Sequence, residues 1–313
     1  MMGRVVAVGG GHGLARALKA LRRLDIEPTA IVTAADDGGS SGRLRRELGI
    51  IAPGDLRMAL LALARQPELA TVLAHRFQAG HLKDHALGNL LLVALAEQRE
   101  GFLPALEAAE RLLDCAGHVL PSTTVPVELR AQVAGARIDG QAHIARAGGR
   151  IERVWLSPAD PPACPEAVDA ILSADTIVLG PGSLFTSIAA NLVVPAIGAA
   201  LSGTPARLVY VGNLRTQPGE TTGLDIAAHL DVVHEHLRGR RLDVALVHDG
   251  PVARDGGAMP LGTAVPEHAA QRIVRADLAE RVDGVAGAAH DVGRLAAALG
   301  PVLASREATS PSA

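Results

Sequence analysis

The sequence predicts an α/β protein: a Rossmann-like, doubly wound, mostly parallel sheet with a small antiparallel β insert. Three observations predict it. The chain opens strand, glycine loop, helix, strand between Arg4 and Thr33, which is half of a doubly wound unit. From Val125 the apolar residues switch to strict alternation, the period of a half-buried antiparallel strand. Short, mainly apolar runs then return at Thr176–Leu179, Arg207–Val211 and Asp243–Val247, separated by helical segments as in a parallel sheet.

Taken in order, Arg4–Val8 is a β-branched run closed by Gly9-Gly10-Gly11-His12-Gly13. Leu14, Ala17, Leu18 and Leu21 recur at helical spacing. Pro28 ends that unit, and Thr29–Thr33 is a second strand. A glycine and serine loop spans Ala34–Gly42, and Pro53-Gly54-Asp55 opens a helix with Asp55 expected as N-cap for Leu56–Arg65. Further helices are expected at Leu69–Gln78, Ala86–Gln98, Leu103–Cys115 and Gly223–Leu237. Asp139-Gly140 and Gly148-Gly149 read as hairpin turns, so residues 119–156 form the expected β insert. The organisation is one domain over residues 1–300 and a Ser, Thr, Pro and Ala tail over 301–313, expected to be disordered.

Composition narrows the function classes. A chain of 313 residues with 48% hydrophobic residues can bury a sizeable core without staples. A formal net charge of -3 gives no pull towards nucleic acid, and 2% aromatics are too few for base-stacking platforms. Two cysteines, Cys115 and Cys164, make no disulfide framework. The uncharged stretch Thr176–Ala206 is cut by Gly180, Pro181, Gly182, Asn191 and Pro195 into pieces too short to cross a bilayer. The opening residues are not those of a signal peptide. The expectation is a soluble, cytoplasmic protein with no membrane insertion.

The unusual residues cluster where a site belongs. In open parallel sheets ligands bind beyond the carboxyl ends of the strands. Four predicted strands end in glycine-rich or polar loops: Gly9–Gly13, Asp36–Gly42, Gly180–Ser183 and Gly212-Asn213. The first loop departs from the dinucleotide fingerprint, because neither Gly9-x-Gly11-x-x-Leu14 nor Gly11-x-Gly13-x-x-Arg16 supplies the third small residue. What remains is glycine backbone and helix N–H groups suited to an anion, which favours a phosphate-bearing ligand. Ser183, Thr186 and Ser187 offer a second anion subsite, or serve as N-caps. Asp36-Asp37 has three readings: a ribose contact, an Mg²⁺ ligand pair bridging phosphates, or an Asx-turn in a solvated loop. Arg43 and Arg57 could balance that charge. Arg57 opposes the dipole of its own helix, a local conflict expected at functional sites. His81 and His85 stand at i and i+4 without a third metal ligand nearby, and His85 to Asn89 reads instead as a loop entering a helix.

Together these strings resemble the YvcK gluconeogenesis-factor family, related to the CofD phospholactate transferases. The resemblance runs through Gly9–Leu14, Ile31–Arg45 (IVTAADDGGSSGRLR), Pro53–Arg57, His85–Leu90, Gly180–Ser187 and Asn213–Thr221. It implies a cytoplasmic Rossmann-like protein that binds UDP-activated sugars without established turnover. It also implies support of cell shape and peptidoglycan homeostasis during growth on gluconeogenic carbon sources. The ligand-binding set it implies is Gly10, Gly11, His12, Gly13, Asp36, Asp37, Ser40, Ser41, Arg43, Asp55, Arg57, His85, Asn89, Gly180, Gly182, Ser183, Thr186 and Asn213. Mg²⁺ at Asp36 and Asp37 is the one cofactor it raises. His12 stands where the family carries a Thr, and imidazole can donate to a phosphate in its place.

Two alternatives accompany this reading. One is a CofD-type, Mg²⁺-dependent transfer of a phospholactyl-like group from a nucleotide diphosphate. The other is an NAD(P)-linked oxidoreductase. Loop placement predicts that Asp37→Ala and Arg57→Ala weaken ligand binding and spare the fold. A homodimer is the base-rate expectation for the assembly.

Overall fold

The computed structural model describes residues 3–253, 257–282 and 285–305. β1 (Val5–Gly9) is buried throughout because both its faces are covered. α1 (Gly11–Arg22) follows at once and buries Leu14, Ala17, Leu18 and Leu21, the stripe read from spacing. β2 (Thr29–Val32) leads into five helices: α2 (Gly39–Leu48), α3 (Pro53–Leu63), α4 (Pro67–Ala74), α5 (Leu87–Gln98) and α6 (Phe102–Leu113). β3 (His118–Pro121) precedes the insert, which comprises β4 (Glu128–Val133), β5 (Ala136–Asp139), α7 (Gln141–Ile144) and β6 (Ile151–Ser157). The chain resumes with α8 (Pro165–Ser173), β7 (Thr176–Leu179) and a π-helical turn Leu184–Ala189 running into α9 (Ala190–Leu192). α10 (Pro195–Gly203), β8 (Arg207–Val211), α11 (Ile226–His236), β9 (Leu242–His248) and β10 (Ala270–Ala276) complete the body. A hairpin of β11 (Ala279–Val282) and β12 (Val285–His290) and the closing helix α12 (Val292–Ala304) follow.

The main sheet has seven strands in the order β10-β9-β8-β7-β1-β2-β3, with parallel pairing at each step. From β1 the chain builds outward through β2 and β3, then returns to β7 on the other side of β1 and builds the opposite way. This reversal is a topological switch point, where α/β sheets hold ligands. The predicted α/β class with a small antiparallel sheet is the observed one.

Several boundaries differ from expectation. β3, expected inside the insert, pairs in parallel with β2, and Val119 is fully buried there. β3 is a four-residue edge strand with His118 exposed, too short for its pattern to distinguish it from the strands of the insert. The insert hairpin turns at Ala134-Gly135, both at positive φ, with Val133 opposite Ala136. Asp139-Gly140 instead leads into α7. α2 starts at Gly39, so Ser40 to Arg43 lie on a helix rather than in a loop. Asp55 is not an N-cap: Pro53 takes the first helical position after Ala52, and Asp55 lies inside the first turn. α12 continues through Pro301 to Ala304 because Val302 and Leu303 are buried against the body. The rest of the expected tail, residues 306–313, lies outside the described residues. Among the described residues no single helix is long and apolar enough to cross a membrane.

Candidate functional site

The carboxyl ends of β1, β2, β7 and β8 open into one cleft of about 650 Å³ at the switch point. Its walls bring together Gly10 to Gly13, Asp36, Asp37, Asp55, Gly182, Ser183, Thr186 and Asn213. The remaining wall comes from Gln141, Ala142 and Ala145 of the insert, the segment Leu214–Pro218 with Glu220, and Ala288–His290 at the end of the hairpin.

Glycine is required here by close approach. A Cβ on Gly10 would stand 2.5 Å from Asp55 Oδ2, and one on Gly13 would stand 2.3 Å from the Pro181 carbonyl oxygen. The loops after β1 and β7 therefore touch backbone to backbone. The first turn of α1 leaves the N–H groups of Gly11, His12 and Gly13 without intrahelical acceptors. Asp55 accepts the one from Gly11. The positive end of a 12-residue helix thus faces the cleft, with His12 exposed at its rim. One turn on, Arg16 donates to the His290 carbonyl at 2.5 Å and pairs with Glu280 at 3.0 Å, tying the hairpin to α1. Arg215 also lines the cleft and forms no ion pair among the described residues.

Two carboxylates form the acidic floor, and they are not the sequence pair. Burial raises the pKa of Asp36, although Gly38 N–H and Ser41 hydrogen-bond to it. Burial, with the charge of Asp36 added, pushes Asp55 up to about 7. Gly54 makes room for this packing, since a Cβ there would meet Ser41 Oγ at 2.1 Å and Asp36 Oδ2 at 2.6 Å. Asp37 turns away: its Oδ1 accepts the Ala142 N–H at 2.8 Å, and its Oδ2 lies against Gly140. It tethers α7 to the cleft. Hard oxygen donors that repel one another suit a divalent cation, and Asp36 with Asp55 fit that description better than Asp36 with Asp37. Among the described residues no group of three or more His, Cys, Asp or Glu could hold a metal ion.

The loop after β7 is already neutralised from within. Glu220 accepts the N–H groups of Phe185 at 2.8 Å and Thr186 at 3.1 Å, and the Thr186 hydroxyl at 3.1 Å. Ser183 Oγ accepts from Gln217 Nε2 at 2.8 Å. Of the three hydroxyls expected to form a second anion subsite, that of Thr186 is therefore engaged by a protein carboxylate, whereas Ser183 and Ser187 line the cleft. Burial raises the pKa of Glu220, and those three hydrogen bonds oppose the rise.

A family model described as 2-phospho-L-lactate transferase CofD matches residues 5–283. The chain belongs to the CofD family. Within it, a Mycobacterium tuberculosis relative is 48% identical over 248 residues, covering 75% of this chain and 72% of its own length. A Bacillus subtilis relative named Gluconeogenesis factor is 42% identical over 248 residues, covering 78% of each chain. A crystal structure from Bacillus halodurans, described as a member of the UPF0052 family, superposes with a TM-score of 0.87 at 37% identity over 94% of this chain and 98% of that one.

In this CofD-family chain the remaining expected site residues do not line the cleft. Ser40, His85, Asn89 and Arg57 form a buried polar network behind the acidic floor. His85 Nδ1 lies 3.1 Å from Ser40 Oγ, Asn89 Nδ2 donates to Ser40 Oγ at 3.0 Å, and Arg57 Nε donates to Asn89 Oδ1 at 2.9 Å. Arg57 is 9% exposed, so Arg57→Ala perturbs the fold rather than cleanly removing a ligand contact. Ser41 sits beneath Asp36. Arg43 donates to the Lys83 carbonyl at 2.7 Å. Gly180 N–H donates to the Val8 carbonyl at 3.0 Å, inside the sheet edge. Sequence reasoning missed Arg16, Gln141, Arg215, Gln217, Glu220 and His290 as cleft residues. Arg215, Gln217 and Glu220 fall within the Asn213–Thr221 string already singled out, whereas nothing local marks Arg16 or His290.

Proposed function

We propose that this chain binds a nucleotide diphosphate, specifically a UDP-sugar, in the cleft. It then acts without turnover as a cytoplasmic gluconeogenesis factor, supporting cell shape and peptidoglycan homeostasis on gluconeogenic carbon sources. The observation that carries the reading is the convergence of the α1 N-terminus, the Asp36–Asp55 floor and Arg215 on one cleft. The His12 and Gly13 N–H groups, together with an arginine that is in no ion pair among the described residues, suit phosphate oxygens. The name of the Bacillus subtilis relative supports the physiological half of the proposal. Asp36 and Asp55 would hold Mg²⁺, which would offset the repulsion between their carboxylates and a diphosphate.

Calorimetric titration of UDP-N-acetylglucosamine, with and without Mg²⁺, tests this. Binding heat is expected, strengthened by Mg²⁺ as pH rises through 7, with proton release as Asp55 ionises. No heat at millimolar ligand overturns the reading.

A second reading, CofD-type transfer of a phospholactyl-like group, is favoured by the same buried carboxylate pair and by the description of the family model. It requires Mg²⁺-dependent release of nucleoside monophosphate when an acceptor is present. Its absence with a deazaflavin precursor and with sugar or alcohol acceptors removes it.

A further inference from the structure

Hydrogen-bond acceptors without donors collect in the cleft. Among the described residues, three side-chain carboxamide oxygens are buried with no donor, on Gln141, Asn191 and Gln217. Two of the three, those of Gln141 and Gln217, belong to residues that line the cleft. The Gln217 Nε2 is engaged, donating to Ser183 Oγ at 2.8 Å, and Oε1 is the end that lacks a partner. Both side chains are half-buried and χ3 of Gln is a broad torsion, so a modest rotation turns either oxygen to a ligand. His290 supplies a third acceptor. Its Nε2 lies 3.1 Å from the Gly212 carbonyl oxygen. A carbonyl only accepts, so Nε2 carries the proton and Nδ1 the lone pair. Nδ1 has no hydrogen-bond partner among the described residues. Burial keeps the ring neutral by pushing its pKa down to about 4. The three acceptors come from separate elements: α7 of the insert, the segment after β8, and the end of β12.

We propose that His290, Gln217 and Gln141 read hydroxyl and amide N–H donors on the sugar of the bound ligand, and so select a glycosylated diphosphate over the diphosphate alone. This rests on the reading of the cleft as a diphosphate site. Phosphate oxygens of a nucleotide diphosphate accept and do not donate at neutral pH. They satisfy the α1 N–H groups and Arg215 and leave these three acceptors unanswered. Another part of the ligand supplies the donors. A pyrimidine ring brings one N–H and favours a flat partner, and no Phe, Tyr or Trp lines the cleft among the described residues. A pyranose carries hydroxyls around its whole rim, which suits acceptors brought from three elements. An acceptor buried without a donor costs free energy before the ligand arrives. A ligand that supplies the donor therefore gains what an analogue lacking it forgoes.

Calorimetric titration of the full chain with UDP and with UDP-N-acetylglucosamine is the test. The unmodified chain is expected to bind the sugar nucleotide about tenfold or more tightly than UDP. His290→Ala and Gln217→Leu should each cut that ratio about fivefold or more. A merely structural loss lowers both affinities and leaves the ratio where it was. His290→Asn keeps an acceptor and should retain more of the ratio than His290→Ala. Gln217→Leu alone decides the matter if the His290 variants fail to fold. Equal affinity for the two ligands in the unmodified chain overturns the inference and leaves the diphosphate reading standing. So does a ratio that both substitutions leave unchanged. No heat with either ligand removes that reading and this inference with it.

Discussion

Asp55 is the residue in which structure and chemistry are most tightly joined. It sits in the first turn of α3, accepts a hydrogen bond from Gly11 and is fully buried beside Asp36. In the fold its acid form persists to about pH 7, whereas the unfolded chain releases that proton near 3.8. The native state therefore binds the proton more tightly. The stability this contributes is complete below the unfolded value and is lost as pH rises through 7. Asp55→Asn keeps the acceptor for Gly11 and removes the titration. Urea unfolding in EDTA at pH 4.5 and pH 8 should show the variant gaining on the parent by about 3 kcal/mol at the higher pH. A difference independent of pH would mean that Asp55 ionises normally in the fold. The glycines around it were legible in sequence because Gly9, Gly10 and Gly11 stand in one run, although the groups they admit lie far along the chain. Glu220 was not, because its role rests on bonds to Phe185 and Thr186, 35 and 34 residues away.

Among the elements, α7 shows how a site can acquire a wall from outside the sheet. It is only four residues long, and it is held from two sides: Asp37 takes the Ala142 N–H, and Gly219 packs under Ala145 so closely that a Cβ would stand 2.4 Å from the Ala145 carbonyl oxygen. Asp37 thereby acts through geometry rather than charge. Asp37→Asn retains an acceptor for Ala142, and Asp37→Ala does not. Affinity for UDP-N-acetylglucosamine should fall about tenfold in Asp37→Ala, the loss of one half-buried hydrogen bond to a charged group, and change little in Asp37→Asn. Equal losses in both would return Asp37 to the role of ligand or metal contact. The alternation of β4 announced the insert from sequence, yet it could not show where the insert docks, since docking is set by two loops more than 70 residues away on either side.

At the scale of the whole molecule, the doubly wound plan was legible because each strand–loop–helix unit carries its own pattern, whereas the strand order, and with it the switch point, came from the structure. The β11–β12 hairpin over the cleft had no such signature. Two side chains hold it to the body: Arg16, which bonds the His290 carbonyl and pairs with Glu280, and His290, whose Nε2 lies 3.1 Å from the Gly212 carbonyl oxygen. Arg16→Gln should raise amide hydrogen exchange across β11 and β12 about tenfold while β1 and β7 keep their protection. Unchanged exchange in the hairpin would show that other contacts hold it. The grip joins positions 274 residues apart. During synthesis the glycine-lined half leaves the ribosome well before the strand end that completes the enclosure. A nascent chain therefore exposes one wall of the cleft long before the opposite wall exists to close over it.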